Sequence, residues 1–147
     1  MGFGWSKKTV MAYWLIKSEP EAFSWSQQVE NDIEPWTGVR NHQAKKNLAA
    51  MKAGDRAFFY HSNVGREIVG VVEVVREAYP DPTAADGKWV CVDVRAVGPV
   101  PHPVTLAAMK ADPALADLAL IRQSRLSVVP VSDPHWAHLC RMGGWNS

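Results

Sequence analysis

Glu67–Val75 reads EIVGVVEVV. It is dense in β-branched residues, which suit a pleated, packed surface. Its apolar residues fall on both alternations, so this strand must be covered on both faces. Gly70 stands inside it, and a glycine there predicts a sharp bend, as a strand needs when a small sheet closes on itself. RAFFYHS (Arg56–Ser62) precedes it as an aromatic-rich strand, joined through a turn at Asn63–Arg66. Tyr79–Lys88 reads as a loop. WVCVDVRAV (Trp89–Val97) then alternates, with Val90, Val92, Val94 and Ala96 facing in and Trp89, Cys91, Asp93 and Arg95 facing the other way.

The flanks carry helices. YWLI (Tyr13–Ile16) is a first strand whose polar mouth is Lys17-Ser18-Glu19-Pro20. Phe23–Asn31 is a short helix starting near Phe23 or Ser24. Residues 42–51 form a second helix with Ala44, Leu48 and Met51 on one apolar face. Gly98–Pro103 reads as an irregular connector. Val104–Leu120 gives two short helices broken at Asp112-Pro113. Ser124–Ser132 is a last strand, and Asp133 caps a final helix over 134–142. Strands dominate the middle and no β-α-β-α alternation appears. The class is α+β: a small, strongly bent or barrel-like sheet with helices around it.

At 147 residues and 47% hydrophobic content the chain fits one domain with a proper core. The net charge of +1 argues against strong sequence-blind binding to duplex DNA, which needs several phosphate contacts. It leaves open the capture of a single base. Cys91 and Cys140 read as intracellular free thiols. No secretory signal or membrane-length apolar run is visible, so a soluble, cytoplasmic protein is expected. Residues 1–11 are expected to be a poorly ordered extension before a single domain at 12–143, Met11 being a second start.

Phosphate-loop, dinucleotide and nucleophile-elbow motifs are absent from the sequence. His135 and His138 have metal-pair spacing, with Cys140 nearby, but no third ligand spacing supports a metal, and a surface helix is the better reading. His61 and Ser62 are adjacent on a strand and face opposite ways, which disfavours a nucleophile pair. WTGVRN (Trp36–Asn41) is more specific. An indole gives a flat stacking face, an arginine a planar fork of donors, and an asparagine both sides of an amide. A helix begins here, adding free backbone N–H groups. Two readings stay open: Trp36 staples the helix and Asn41 caps it, or the group binds an aromatic heterocycle. Arg122, Arg125 and Ser127 form a second polar cluster.

Several stretches, in this order, resemble the EVE domain family, which includes the thymocyte nuclear protein 1 group. They are YWLIKSEP, WTGVRNHQAKKNLAAMKAGDRAFFYHS, EIVGVVEVVREAYPD and RLSVVPV, running from about Ala12 to about Trp136. The resemblance implies a PUA-like fold, a small bent β-barrel flanked by short helices. It implies kinship with YTH domains, which hold a methylated base in an aromatic cage. It implies a non-catalytic reader of modified bases in DNA or RNA, notably modified cytosine. By motif, Lys17 and Ser18 stand on the pocket rim, and Trp36 falls where YTH domains carry their first cage tryptophan. Val39, Arg40 and Asn41 follow it. Tyr60, His61 and Ser62 form another wall, and Tyr79 to Asp81 lie on the loop that completes the cage.

The resulting expectation is that Trp36 stacks on a base, with Tyr60 or Tyr79 opposite. Asn41 and backbone groups near Ser18 and Thr37 read its edge, and Arg40, Lys17 and Arg125 meet flanking phosphates. No metal, cofactor or membrane contact is expected, and a monomer is favoured. Two alternatives use the same pocket. One is a small nucleoside- or nucleotide-acting enzyme with His61 or Lys17 carrying protons, favoured if Glu19 or Asp81 holds His61. The other is a sensor of small heterocycles.

Overall fold

The computed structural model describes residues 11–146. The predicted extension lies outside the described residues but for Met11, which is exposed. Six strands form one sheet: β1 (Tyr13–Ser18), β2 (Ile33–Pro35), β3 (Arg56–His61), β4 (Glu67–Pro80), β5 (Val90–Thr105) and β6 (Val128–Val131). Their spatial order is β2-β5-β4-β3-β1-β6. β3, β4 and β5 are an antiparallel meander, whereas β1 pairs parallel with β3. Parallel neighbours need a long crossover. Here it contains α1 (Trp25–Asn31), β2 and α2 (His42–Ala50). The crossover carries Trp36–Asn41 to the C-terminal ends of β1 and β3, where Ser18 and His61 lie side by side.

The central strand behaves as its sequence predicts. Ile68, Val71, Val72 and Val74 are fully buried, so both faces are covered. The register of β4 shifts beside Gly70 and again at Val71/Val72, Val74/Arg76 and Arg76/Tyr79. Each irregularity adds twist and bend. Gly70 has a second reason to be glycine: an added Cβ would lie 2.5 Å from the Trp25 ring, which packs onto the bare backbone there.

Adjacent side chains on a strand point to opposite faces, and β3 uses this to build two aromatic clusters. Phe58 stacks on Trp136 at 4.0 Å, and Trp136 stacks in turn on Tyr13 at 4.3 Å. This seats α5 (Asp133–Gly143) against the sheet. Phe59 faces the other way and meets Trp25, Trp36 and Phe23.

Short polar side chains set the helix starts. Ser24 and Gln27 form a capping box for α1, and Asn41 caps α2. Thr105 caps α3 (Leu106–Ala111), a 3₁₀ turn spans Pro113–Leu115, α4 is Ala119–Arg122, and Ser132, one residue before the predicted Asp133, caps α5. Packing continues past the expected boundary at 143, since Trp145 covers Gly98 and belongs with the core.

Several predicted features differ, among them the last strand, which starts at Val128 rather than Ser124, and Val104–Thr105, which end β5 rather than open a helix. Tyr79 and Pro80 are the end of β4 rather than loop. Gly98–Pro103 is strand: β5 runs through it to Thr105. Pro99, Pro101 and Pro103 are spaced by two, so their missing N–H groups share one side, and β5 is paired with β2 only at Asp93–Arg95. Proline is tolerated on such an open edge. Cys91, predicted to face away from the core, is buried, with the Tyr79 side chain of its paired strand beside it.

Asp55 fastens the start of the fold. It is buried, and its carboxylate accepts from Ala12 N–H at 3.2 Å, Trp14 Nε1–H at 3.0 Å and Lys52 N–H at 2.9 Å. Asp55→Ala strands these donors and is expected to cost about 3 kcal/mol, read as a lower urea midpoint with unchanged slope.

Candidate functional site

The two edges of the sheet, β2 and β6, are farthest apart in strand order, yet β2 and the approach to β6 line one cleft. Glu34 and Pro35 come from β2, Lys17 and Ser18 from the end of β1, and Ser127 from the residue before β6. The sheet therefore curls until its edges face each other across an open seam of about 430 Å³. Trp36 and Phe23 supply its aromatic surface, and Thr37 to Arg40 one wall.

Trp36 belongs to core and cleft at once. It is 8% exposed, its ring stands edge-on to Phe59 at 5.5 Å and to Phe23 at 6.0 Å, and its backbone N–H donates to Val92 O at 2.7 Å. Phe23 is held by Ser18, whose hydroxyl donates to the Phe23 carbonyl at 2.6 Å. The aromatic surface is thus rigid before any ligand arrives. After Trp36 the chain turns through Gly38 at φ 87°, a left-handed conformation that favours glycine. Among the described residues nothing accepts from the backbone N–H of Val39 or Arg40.

Asp81 braces this wall from behind. It is buried and accepts from Gly38 N–H at 2.8 Å, Arg40 Nη1 at 3.1 Å, and the Thr83 N–H and hydroxyl at 2.7 and 2.6 Å. Burial alone would raise its pKa, but the bonds from Thr83, Gly38 and Arg40 outweigh that and lower it from 3.8 to about 2. A carboxyl depressed in the fold adds stability that is complete above its unfolded value and lost as pH falls through the folded one. The window is therefore from about pH 4 down to about pH 2. Asp81→Asn is expected to flatten acid unfolding in that window and to cost about 2 kcal/mol at neutral pH, read by thermal melts across pH.

The predicted residues divide among several places. Lys17, Ser18, Trp36, Thr37, Val39 and Arg40 come together in the seam. Tyr60, Ser62 and Arg125 line a second, larger cavity of about 640 Å³, which shares Lys17 and Ser127 with the seam. Asn41 is a cap: its side-chain oxygen accepts from Ala44 N–H at 2.9 Å. His61 Nε2 accepts from Trp25 N–H at 3.0 Å, and burial lowers the imidazole pKa against the opposing pull of Glu67. It positions α1. Tyr79 is away from the seam, donating to Asp93 with Arg76 3.6 Å from its ring centroid. Asp81 is turned inward as described and does not line the seam. His138, one of the spaced pair, bonds Asp112.

The seam also contains Ala22, Phe23, Glu34, Pro35 and Gly38, which the sequence reading left out, and Ser127, which it had placed in a separate polar cluster. Phe23 was legible as an aromatic just before a helix cap. Glu34 and Pro35 directly precede Trp36, but a three-residue strand has no period to reveal it. Trp89, at the end of the 81–89 loop, stacks on His42 at 5.0 Å with Arg40 5.9 Å from its ring. No helix among the described residues is long and apolar enough to cross a membrane.

An EVE domain family model matches residues 12–142. A Rhodopseudomonas palustris protein of solved structure is 61% identical with a TM-score of 0.87, over 91% of this chain and 94% of that one. Thymocyte nuclear protein 1 of Gallus gallus is 37% identical over 88% of this chain and 67% of its own length. The crystal structure of human THYN1 protein in complex with DNA containing 5-methylcytosine is 30% identical with a TM-score of 0.84, covering 92% of this chain and 99% of that one. The bent sheet, the crossover that delivers Trp36 and the match over nearly the whole chain agree: this protein belongs to the EVE domain family, with its PUA-like fold.

Proposed function

We propose that the seam holds one modified base of a nucleic acid, with modified cytosine in DNA the foremost candidate, and that the protein is a reader without catalytic activity. One observation carries this: a pre-set aromatic surface, Trp36 with Phe23, lies in a cleft whose walls offer a carboxylate, a cation and unpaired backbone donors. A flat heterocycle matches the aromatic surface, and a base edge matches the polar wall. Glu34 is placed to accept from an exocyclic amino group, the pairing carboxylates make with cytosine. Arg40, braced by Asp81, faces a phosphate or a base carbonyl. The human relative's complex with 5-methylcytosine DNA supports the same reading. The base reaches the cleft already single-stranded or flipped from a duplex.

The non-catalytic reading is supported by His61. Its Nε2 accepts from Trp25 N–H and neither Glu19 nor Asp81 bonds it, so the carboxylate-held His61 that would favour one form of the enzyme reading is not formed.

Fluorescence anisotropy with matched oligonucleotides of DNA and of RNA, carrying 5-methylcytosine, cytosine or thymine, tests the proposal. A buried methyl group is worth about 0.8 kcal/mol, so a preference of about four-fold or more over cytosine is expected. Equal binding of all three bases in both backbones sinks the reading.

A further inference from the structure

The larger cavity adjoins the seam through Lys17 and Ser127. Four cations line it, Lys17, Arg66, Lys110 and Arg125, against one carboxylate, Glu19. That local excess stands out in a chain of net charge +1. None of the four forms an ion pair among the described residues, whereas Arg40, Arg56, Arg95 and Arg122 all do. Lys17 is half-buried without a counter-ion. Its Nζ donates to the Ser124 carbonyl at 2.8 Å, and burial lowers its pKa. Opposed cations without anions are costly to hold together, and an anionic ligand relieves that cost.

The cavity is not only charged. Tyr60, Leu106, Leu120 and Ile121 give it an apolar side, drawn from β3, α3 and α4. A cationic rim beside an apolar wall fits a nucleotide, which is a phosphate joined to a flat, weakly polar base. The path continues beyond it. A third depression of about 450 Å³ is lined by Gly65, Thr105 and Ala107 together with Arg66, Leu106 and Lys110 of the cavity.

We propose that this cavity is the site of the nucleotide adjoining the held base, its phosphate on Arg66, Lys110, Lys17 and Arg125 and its base against the Leu106–Ile121 wall, so that a single strand runs from the seam toward α3. This rests on the reading of the seam as a base site. It assigns Arg66 and Lys110, which do not line the seam, to strand binding.

The test uses a single-stranded DNA heptamer with a central 5-methylcytosine, its plain-cytosine twin, and the free nucleoside 5-methyl-2′-deoxycytidine. The protein is compared with Arg66→Gln/Lys110→Gln, both exposed positions. Each lost phosphate contact lowers the slope of log K against log salt by about 0.7 for single strands. The double variant is therefore expected to lose about 1.4 from that slope and roughly twenty-five-fold in heptamer affinity at 0.1 M salt. Its nucleoside affinity and its ratio of methylated to plain heptamer are expected to stay at the wild-type values. An unchanged slope and heptamer affinity overturn the inference while leaving the seam intact, and so does a parallel loss of nucleoside binding, which marks a general disturbance. Failure of the seam reading shows separately, as a wild-type protein with no preference for the methylated heptamer, and it removes this inference too.

Discussion

Trp36→Ala is expected to weaken binding of a modified base by about five- to 150-fold and to lower thermal stability on the order of 10 °C. The first figure follows from base stacking on an aromatic, worth about 1–3 kcal/mol by alanine substitution. The second follows from the ring's burial: it is 8% exposed and fills the space between Phe23 and Phe59. Emptying such a site costs about 3–5 kcal/mol, and a domain of this size shifts about 2–4 °C per kcal/mol. The two effects separate with Trp36→Phe. A phenyl ring keeps most of the packing against Phe59 but presents a smaller surface to the cleft. It is expected to recover most of the melting temperature and less of the affinity. If Trp36→Ala binds the modified base as the wild type does while melting lower, the ring is core alone and the base sits elsewhere.

Gly70→Ala should be about as damaging to the fold, although it adds a single methyl group. That carbon would fall 2.5 to 2.6 Å from Cη2, Cζ2 and Cε2 of Trp25. The indole cannot simply slide away. Trp25 opens α1, its N–H is held by His61 Nε2 at 3.0 Å, and its ring stands edge-on to Phe59 at 5.3 Å. Either β4 bows or α1 lifts. Overpacking of this kind costs about 1–3 kcal/mol, and the rigid aromatic surroundings place the expected value at the upper end. The cycle with Trp25→Leu gives the decisive comparison: in that background Gly70→Ala is expected to lose most of its cost, since contacting residues are not additive. A full cost retained there assigns the damage to the strand's own backbone.

These two positions also show how legible the molecule was. The run around Gly70 told the truth about a bent, doubly covered strand, because the β-branched pattern and the glycine are local signals. That Trp25 docks on the glycine is a tertiary fact, carried by residues 45 positions away. Helix starts were read well, since caps are chemistry within four residues: Ser24 and Asn41 both accept from the N–H three positions on. Strand extent was read poorly where local chemistry and pairing disagree. Ile33–Pro35 has too few residues to show a period, and it is strand only through β5. The three prolines of β5 argue against strand everywhere except on an open edge.

The site divides the same way. The resemblance led to Lys17, Ser18 and Trp36 through Arg40, which the crossover gathers in one seam. It also offered Asn41 and Asp81, whose short polar side chains are consumed in capping and bracing. Glu34 was invisible because nothing nearby hints that a second sheet edge would curl round to face the first.

That curl has a consequence for how the protein comes into being. Leu15 pairs with Val129 across most of the chain, and Lys17 meets the Ser127 carbonyl through the same junction. Contacts so distant in sequence close late, and sheets rich in them fold over about milliseconds to seconds. The first strand waits beside β3 with one edge unpaired until the last strand arrives. A nascent chain therefore carries Trp36 long before it has a cleft, since that cleft needs Ser127 and the strand that follows it.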